Sequence, residues 1–139
     1  MGSNIRAAIH PYRLRIVPDR LDIRIICVLA AAAGAFIAIW ARRTLGGNWS
    51  GTVTIKENHE LVRSGPYRYV RHPIYAGLLL MAFASAIYSG SVESFYIAAI
   101  VLGLFVYQSR IEERWMLEQF GGEYREYMRG VKGLVPGVV

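Results

Sequence analysis

The residues with the most specific chemistry lie between two apolar stretches, in the run from His59 to Gly77 (HELVRSGPYRYVRHPIYAG). Pro73 begins an apolar run, and the first turn of a helix tolerates proline, so His72 is predicted to lie at a helix cap. The first amides of a helix lack partners within the helix and attract anionic groups. Arginines and tyrosines supply positive charge and aromatic faces in the same run: Arg63, Arg68, Arg71, Tyr67, Tyr69 and Tyr75. The run predicts a site for a ligand that combines a carboxylate group, a positively charged group and a planar aromatic base. The alternative is a basic, aromatic belt at a membrane interface.

A second group of charged residues follows the third apolar stretch, where Arg110 precedes the adjacent carboxylates of Glu112 and Glu113. Two carboxylates at the end of a membrane helix must be solvated or paired. Either they form surface pairs with Arg110 and Arg114, or one of them binds the ammonium group of a ligand docked at the loop. The histidines and glutamates of the loop fit no recognised zinc spacing, so we predict no metal site.

Three uncharged apolar stretches, at about residues 25–41, 73–92 and 94–109, must position these groups. Spanning a bilayer takes roughly 20 apolar residues, so we expect about three transmembrane helices. The predicted fold is an all-α integral membrane protein, a single domain over residues 1–139. Its loop at 51–72 and its C-terminal helical tail at 110–139 are expected to form the ligand site together.

The net charge of +6 comes from basic residues that flank the apolar stretches, which favours an anionic membrane surface over nucleic acid as the partner. The loop and the tail are rich in lysine and arginine, so we expect both, and the site, to face the cytoplasm. Three spans would then place the arginines of the N-terminal segment outside. Either that segment lies along the interface, or the first stretch does not fully span.

The ordered set RHPIYAG at 71–77 and Glu112-Glu113, separated by one helical hairpin, closely resembles the RHPxYxG…EE signature of the isoprenylcysteine carboxyl methyltransferase family. The resemblance extends back through HELV at 59–62 and GPY at 65–67. It extends forward through FGGEY at 120–124, Tyr127 and Pro136. It implies a membrane enzyme that uses S-adenosylmethionine, releases S-adenosylhomocysteine and methylates a lipophilic or membrane-associated substrate.

The resemblance also implies roles for individual positions. Those expected to contact S-adenosylmethionine are His59, Glu60, Leu61, Val62, Gly65, Tyr67, His72, Pro73, Ile74, Tyr75 and Glu112. Glu112 is expected to pair with the ammonium group. A substrate-associated arginine of the family falls on Gln108, and the nearest arginine, Arg110, is rotated from it by about 200° on a helix; both are candidate substrate residues. The candidate catalytic residues are His72, Glu113 and Arg110.

Several functions are compatible with this pattern. An ionised carboxylate acceptor needs no base, whereas an amine, such as that of a phospholipid headgroup, must lose a proton, which His72, Glu113 or a tyrosine would accept. A nicotinamide-dependent membrane reductase on a related scaffold and a non-enzymatic membrane subunit are further alternatives. The small residues Gly77 and Gly103 are expected to flank a lateral opening between the second and third helices, through which an apolar substrate chain enters. The oligomeric state is left open.

Overall fold

The computed structural model of the protein describes residues 14–48 and 60–135. Its α-helices are α1 (Leu21–Leu45), α2 (Pro73–Ser89), α3 (Val92–Phe120) and α4 (Gly122–Gly130). Short 3₁₀ turns follow α1 at Gly46–Asn48 and precede α2 at Gly65–Arg68. Over the residues that the structure describes, the prediction of an all-α fold is confirmed.

The helix bounds differ from the predicted apolar stretches in two places. α2 ends at Ser89, earlier than predicted, because Gly90 takes a left-handed conformation (φ 69°) and its N–H bonds to Ala86 O. α3 does not end with the third apolar stretch but continues to Phe120. Both glutamates of the signature therefore lie on the same rigid helix as that stretch.

α1 and α3 are long and apolar enough to cross a membrane, judged by length and composition, whereas α2 is a shorter apolar helix of 17 residues. Large apolar side chains on both long helices point outward; Leu29 is 64% exposed and Ile100 is 63% exposed. A helix in the core of a soluble protein would bury such residues. The exposed apolar faces are those that a helix in contact with lipid presents.

α1 and α2 pack closely through Gly34 and Gly77. A Cβ atom added to Gly77 would lie 2.5 Å from the backbone O of Gly34, and one added to Gly34 would lie 2.5 Å from the backbone O of Gly77. Only glycine permits this approach of two backbones. The expectation that Gly77 flanks an opening between α2 and α3 is therefore wrong, because Gly77 faces α1. Gly103 has open space around it.

The segment that precedes α1 is bound to the turn between α2 and α3. Ile16 N donates to Gly90 O at 2.7 Å, and Val92 N donates to Leu14 O at 3.1 Å. Asp19 forms an ion pair with Arg24 in the same region. These contacts place the segment at the end of α2 that is remote from His72.

We predict that Gly77→Ala destabilises the protein by about 1–3 kcal/mol, because the added methyl group must push α1 and α2 apart. The measurement is thermal unfolding in detergent. Gly103→Ala is the matched control and should leave stability unchanged or slightly raised, since alanine is the better helix former. An equal loss of stability in the two variants would contradict the close packing of α1 and α2.

Candidate functional site

The site begins where His72, at the start of α2, meets two carboxylates of α3. Its side chain is buried, and its Nε2 atom lies 3.1 Å from Glu113 Oε1. The other ring nitrogen, Nδ1, lies 3.5 Å from Glu112 Oε2. The imidazole thus bridges both glutamates, one through each nitrogen.

The charge state of His72 follows from this position. Burial by itself lowers the pKa of the imidazole, but the hydrogen bonds and negative charges of Glu112 and Glu113 outweigh burial and raise the pKa above its usual 6.5. In the protonated ring both nitrogens donate, which suits two carboxylate partners. The geometry favours His72 as a positively charged positioning group over a general base, because a base needs a free nitrogen lone pair.

Glu113 forms a buried ion pair with Arg71. Arg71 donates to Glu113 Oε1 from Nε at 2.9 Å, and its Nη2 lies 2.8 Å from the same oxygen. The two side chains are only 12% and 9% exposed. The remaining guanidinium nitrogen donates to the backbone carbonyls of Val131 (2.5 Å) and Met128 (3.3 Å). One arginine therefore connects the start of α2, the helix α3, the last turn of α4 and the residue that follows α4.

The C-terminal tail is held against the same segment by its backbone. Arg71 N donates to Lys132 O at 2.8 Å, and His72 N donates to Gly133 O at 3.0 Å. Tyr127 Oη donates to Tyr67 O at 2.6 Å. Burial raises the pKa of Tyr127 to about 12, so its hydroxyl keeps the proton that it donates. These contacts fix the loop that leads into α2.

Glu112 is the accessible carboxylate of the pair, since its side chain is 34% exposed. It accepts hydrogen bonds from Tyr75 Oη and, at 3.3 Å, from Gln108 Nε2. The Tyr75 ring is stacked between two others, with its centroid 5.8 Å from that of His72 and 4.8 Å from that of Phe105. A row of three rings thus runs from the start of α2 to the apolar part of α3, beside an accessible negative charge.

The remaining predicted residues differ in how deeply they are buried and in where they lie relative to this cluster. Gly65 (φ 57°) faces the end of α1, where an added Cβ would lie 2.9 Å from Thr44 Oγ1. Pro73 and Tyr67 are buried, Leu61, Val62 and Ile74 are half-buried, and Glu60 is exposed. His59 lies outside the described residues. Arg110 is exposed and sits two residues before Glu112, on the opposite side of α3, so the structure does not bring it into the cluster.

Three residues that contribute to the cluster were not among the predicted site residues: Arg71, Phe105 and Tyr127. Arg71 was visible as part of the signature, but its partner is 42 positions away. Phe105 could have been found from its spacing, because it shares one face of α3 with Gln108 and Glu112. In the described ranges, no three His, Cys, Asp or Glu side chains are grouped so that they could hold a metal ion.

Comparison with known proteins assigns the family. A model of the phospholipid methyltransferase family matches residues 23–123, which include all but the first two residues of α1, the whole of α2 and α3, and both halves of the charged cluster. The chain belongs to the phospholipid methyltransferase family. The resemblance to isoprenylcysteine carboxyl methyltransferases is confirmed by individual relatives.

Among these relatives is the protein-S-isoprenylcysteine O-methyltransferase of Schizosaccharomyces pombe, 33% identical over 107 residues, which make up 74% of this chain and 45% of the relative. The Saccharomyces cerevisiae protein of the same name is 32% identical over 78% of this chain and 46% of its own length. Methanethiol S-methyltransferase 1 of Bradyrhizobium diazoefficiens is 34% identical over 50% of this chain and 24% of its own length.

The fold is also found in a solved structure of a eukaryotic intramembrane Ras methyltransferase, isoprenylcysteine carboxyl methyltransferase. The TM-score is 0.71 at 24% identity, over 84% of this chain and 43% of that one. The chain spans about half the length of the isoprenylcysteine methyltransferases that it matches.

We predict that Glu113→Gln or Arg71→Gln lowers the free energy of unfolding by about 3–5 kcal/mol, because each leaves a buried charge without its partner. The double variant should lose less than the sum of the two, and denaturant unfolding of all four proteins measures this coupling. The control is Glu123→Gln, which breaks the exposed Arg63–Glu123 pair and should cost less than about 1 kcal/mol. If Glu113→Gln costs no more than Glu123→Gln, the buried pair does not hold the site together.

Proposed function

We propose that this protein is an S-adenosylmethionine-dependent membrane methyltransferase that methylates a lipophilic acceptor beside Tyr75 and Glu112. The observation that carries the proposal is the accessible carboxylate of Glu112 at the side of the His72–Tyr75–Phe105 row. Membership of the phospholipid methyltransferase family supports methyl transfer over the alternative of nicotinamide-dependent reduction.

The groups around Glu112 match those of the methyl donor. S-adenosylmethionine carries an ammonium group, a carboxylate, a sulfonium and an adenine ring. The Glu112 carboxylate suits the ammonium group. The first turn of α2 suits the carboxylate, because the amides of Ile74 and Tyr75 precede the first helical hydrogen bond, from Ala76 N to His72 O.

The methyl donor supplies an electrophilic methyl group on a positively charged sulfur. The protein's part in such an in-line displacement is to align the reacting groups and exclude water. Tyr75 is suited to this, because its ring is held between His72 and Phe105 while its hydroxyl is bound to Glu112. Phe105 extends the site towards the apolar part of α3, where an acceptor with an apolar chain would lie.

The acceptor proposed first is a carboxylate on a lipophilic molecule. Removing a proton from an amine needs a base, and the candidate bases in the cluster are engaged, including Tyr75, whose hydroxyl donates to Glu112. His72 is bound between two glutamates, and Glu113 is buried in its pair with Arg71. A carboxylate is already ionised at neutral pH and needs no base. Gln108 offers an amide donor on the same side of α3 as Glu112.

The proposed arrangement in the membrane has three spans, with α2 as the shortest. The loop before α2 and the tail after α3 then lie together in the cytoplasm, consistent with their lysines and arginines. The polar cofactor enters from that side, and the acceptor enters from the bilayer. The whole chain is proposed to act as one methyltransferase domain.

Transfer of a labelled methyl group to extracted membrane lipids and to small lipophilic acids and thiols tests the activity.

We predict that Glu112→Gln weakens S-adenosylhomocysteine binding about tenfold or more, because a charge-assisted contact is lost. The midpoint of thermal unfolding should stay close to that of the wild type. Glu118→Gln, an exposed change on the same helix, is the matched control.

His72→Ala is expected to weaken S-adenosylhomocysteine binding at least about tenfold as well, because it removes the ring that holds Glu112 and Glu113 in place and that stacks on Tyr75. Saturable binding of NADPH without binding of S-adenosylhomocysteine would contradict the proposed function. Unchanged affinity in Glu112→Gln would contradict the proposed site.

A further inference from the structure

α3 carries a second polar surface on the side away from Glu112. Its residues recur at the i, i+3, i+4 and i+7 spacing that places side chains on one face of a helix. Together with a methionine of α4 they line an open groove of about 360 Å³: Arg110, Glu113, Arg114, Leu117 and Met128. Glu113, which pairs with Arg71, is the residue of this groove that also belongs to the cluster at the start of α2.

The groove has an excess of positive charge. The negative charge of Glu113 is already engaged by Arg71 at 2.8 Å and by His72 at 3.1 Å. Arg110 and Arg114 are both exposed, and neither forms an ion pair with a residue in 14–48 or 60–135. Two guanidinium groups one helical turn apart are therefore available to an anion.

The position of the groove along α3 indicates where that anion would come from. Residues 94–109 carry no charge, and Arg110 is the first charged residue after them. The Trp115 side chain, 40% exposed, lies within the next turns. Basic and aromatic residues directly after an apolar span are typical of the level of lipid headgroups. Leu117 and Met128 add an apolar surface beside the two arginines.

We propose that the Arg110–Arg114 groove binds the phosphate of an anionic phospholipid of the surrounding bilayer. Two arginines can hold one phosphate through several charge-assisted hydrogen bonds. Leu117 and Met128 lie on the side of the groove that is farther from the bilayer, so the acyl chains of the lipid extend in the opposite direction, along the uncharged part of α3. This site is separate from that of the methyl acceptor, and it does not depend on methyl transfer.

Native mass spectrometry of the purified, delipidated full chain tests the site. Phosphatidylglycerol and phosphatidylcholine with identical acyl chains are titrated separately, and the one-to-one lipid adduct is measured. The wild type should bind phosphatidylglycerol about tenfold more tightly than phosphatidylcholine, since each arginine near the headgroups adds to the attraction. Arg110→Gln/Arg114→Gln should reduce that preference to about twofold or less.

The matched control is Arg125→Gln/Arg129→Gln, which removes the same charge from two exposed arginines one turn apart on α4. It should keep the preference, and thermal unfolding should show that both double variants are folded. Loss of the preference to the same degree in both variants, or its absence from the wild type, would overturn the proposal. Full displacement of phosphatidylglycerol by millimolar inorganic phosphate would also overturn it, because the groove would then take free phosphate rather than a lipid.

Discussion

The buried ion pair between Arg71 and Glu113 is the constraint on which the rest of the structure depends. An unpaired charge at either position would cost several kcal/mol, so α3 must carry Glu113 to the start of α2. The same guanidinium donates hydrogen bonds to the carbonyls of Met128 and Val131, which fixes the C-terminal tail against the start of α2. α2, α3 and the tail therefore meet at one point, although they are far apart along the chain.

The ion pair also separates the roles of two adjacent glutamates. Neighbouring residues on a helix point about 100° apart, so when Glu113 faces Arg71, Glu112 faces the other side of His72. There it stays accessible and holds the hydroxyl of Tyr75. The close packing of Gly34 on Gly77 fixes the other side of α2, so that His72 and Tyr75 have little freedom to move relative to α3. A rigid helix start with one accessible carboxylate is what the alignment of two reactants requires.

Much of this arrangement could be predicted from local sequence. The apolar runs predicted the helices, Pro73 predicted the start of α2, and the RHPIYAG and Glu112-Glu113 motifs predicted which segments meet. The rotation of 200° between Arg110 and Glu112 follows from helix geometry alone, and the structure places Arg110 outside the cluster accordingly.

What could not be predicted depends on contacts between distant segments. The sequence does not indicate which helix Gly77 contacts, because both faces of α2 are apolar and contain small residues. In the structure Gly77 packs on α1 rather than beside α3. The sequence gives no reason for Arg71 to be buried, since its carbonyl partners lie about 60 positions away. The residues that lead into α2 bind Lys132 and Gly133 through backbone hydrogen bonds, which the types of these residues do not predict.

The decisive measurement is a structure of the protein with bound S-adenosylhomocysteine. We expect the ammonium group to lie within hydrogen-bonding distance of Glu112, with the ligand carboxylate at the first turn of α2. The Arg71–Glu113 pair should stay intact, because that pair builds the site rather than binding the ligand. A ligand bound in the Arg110–Arg114 groove, or one that replaces Arg71 as the partner of Glu113, would show that the site is not at Glu112.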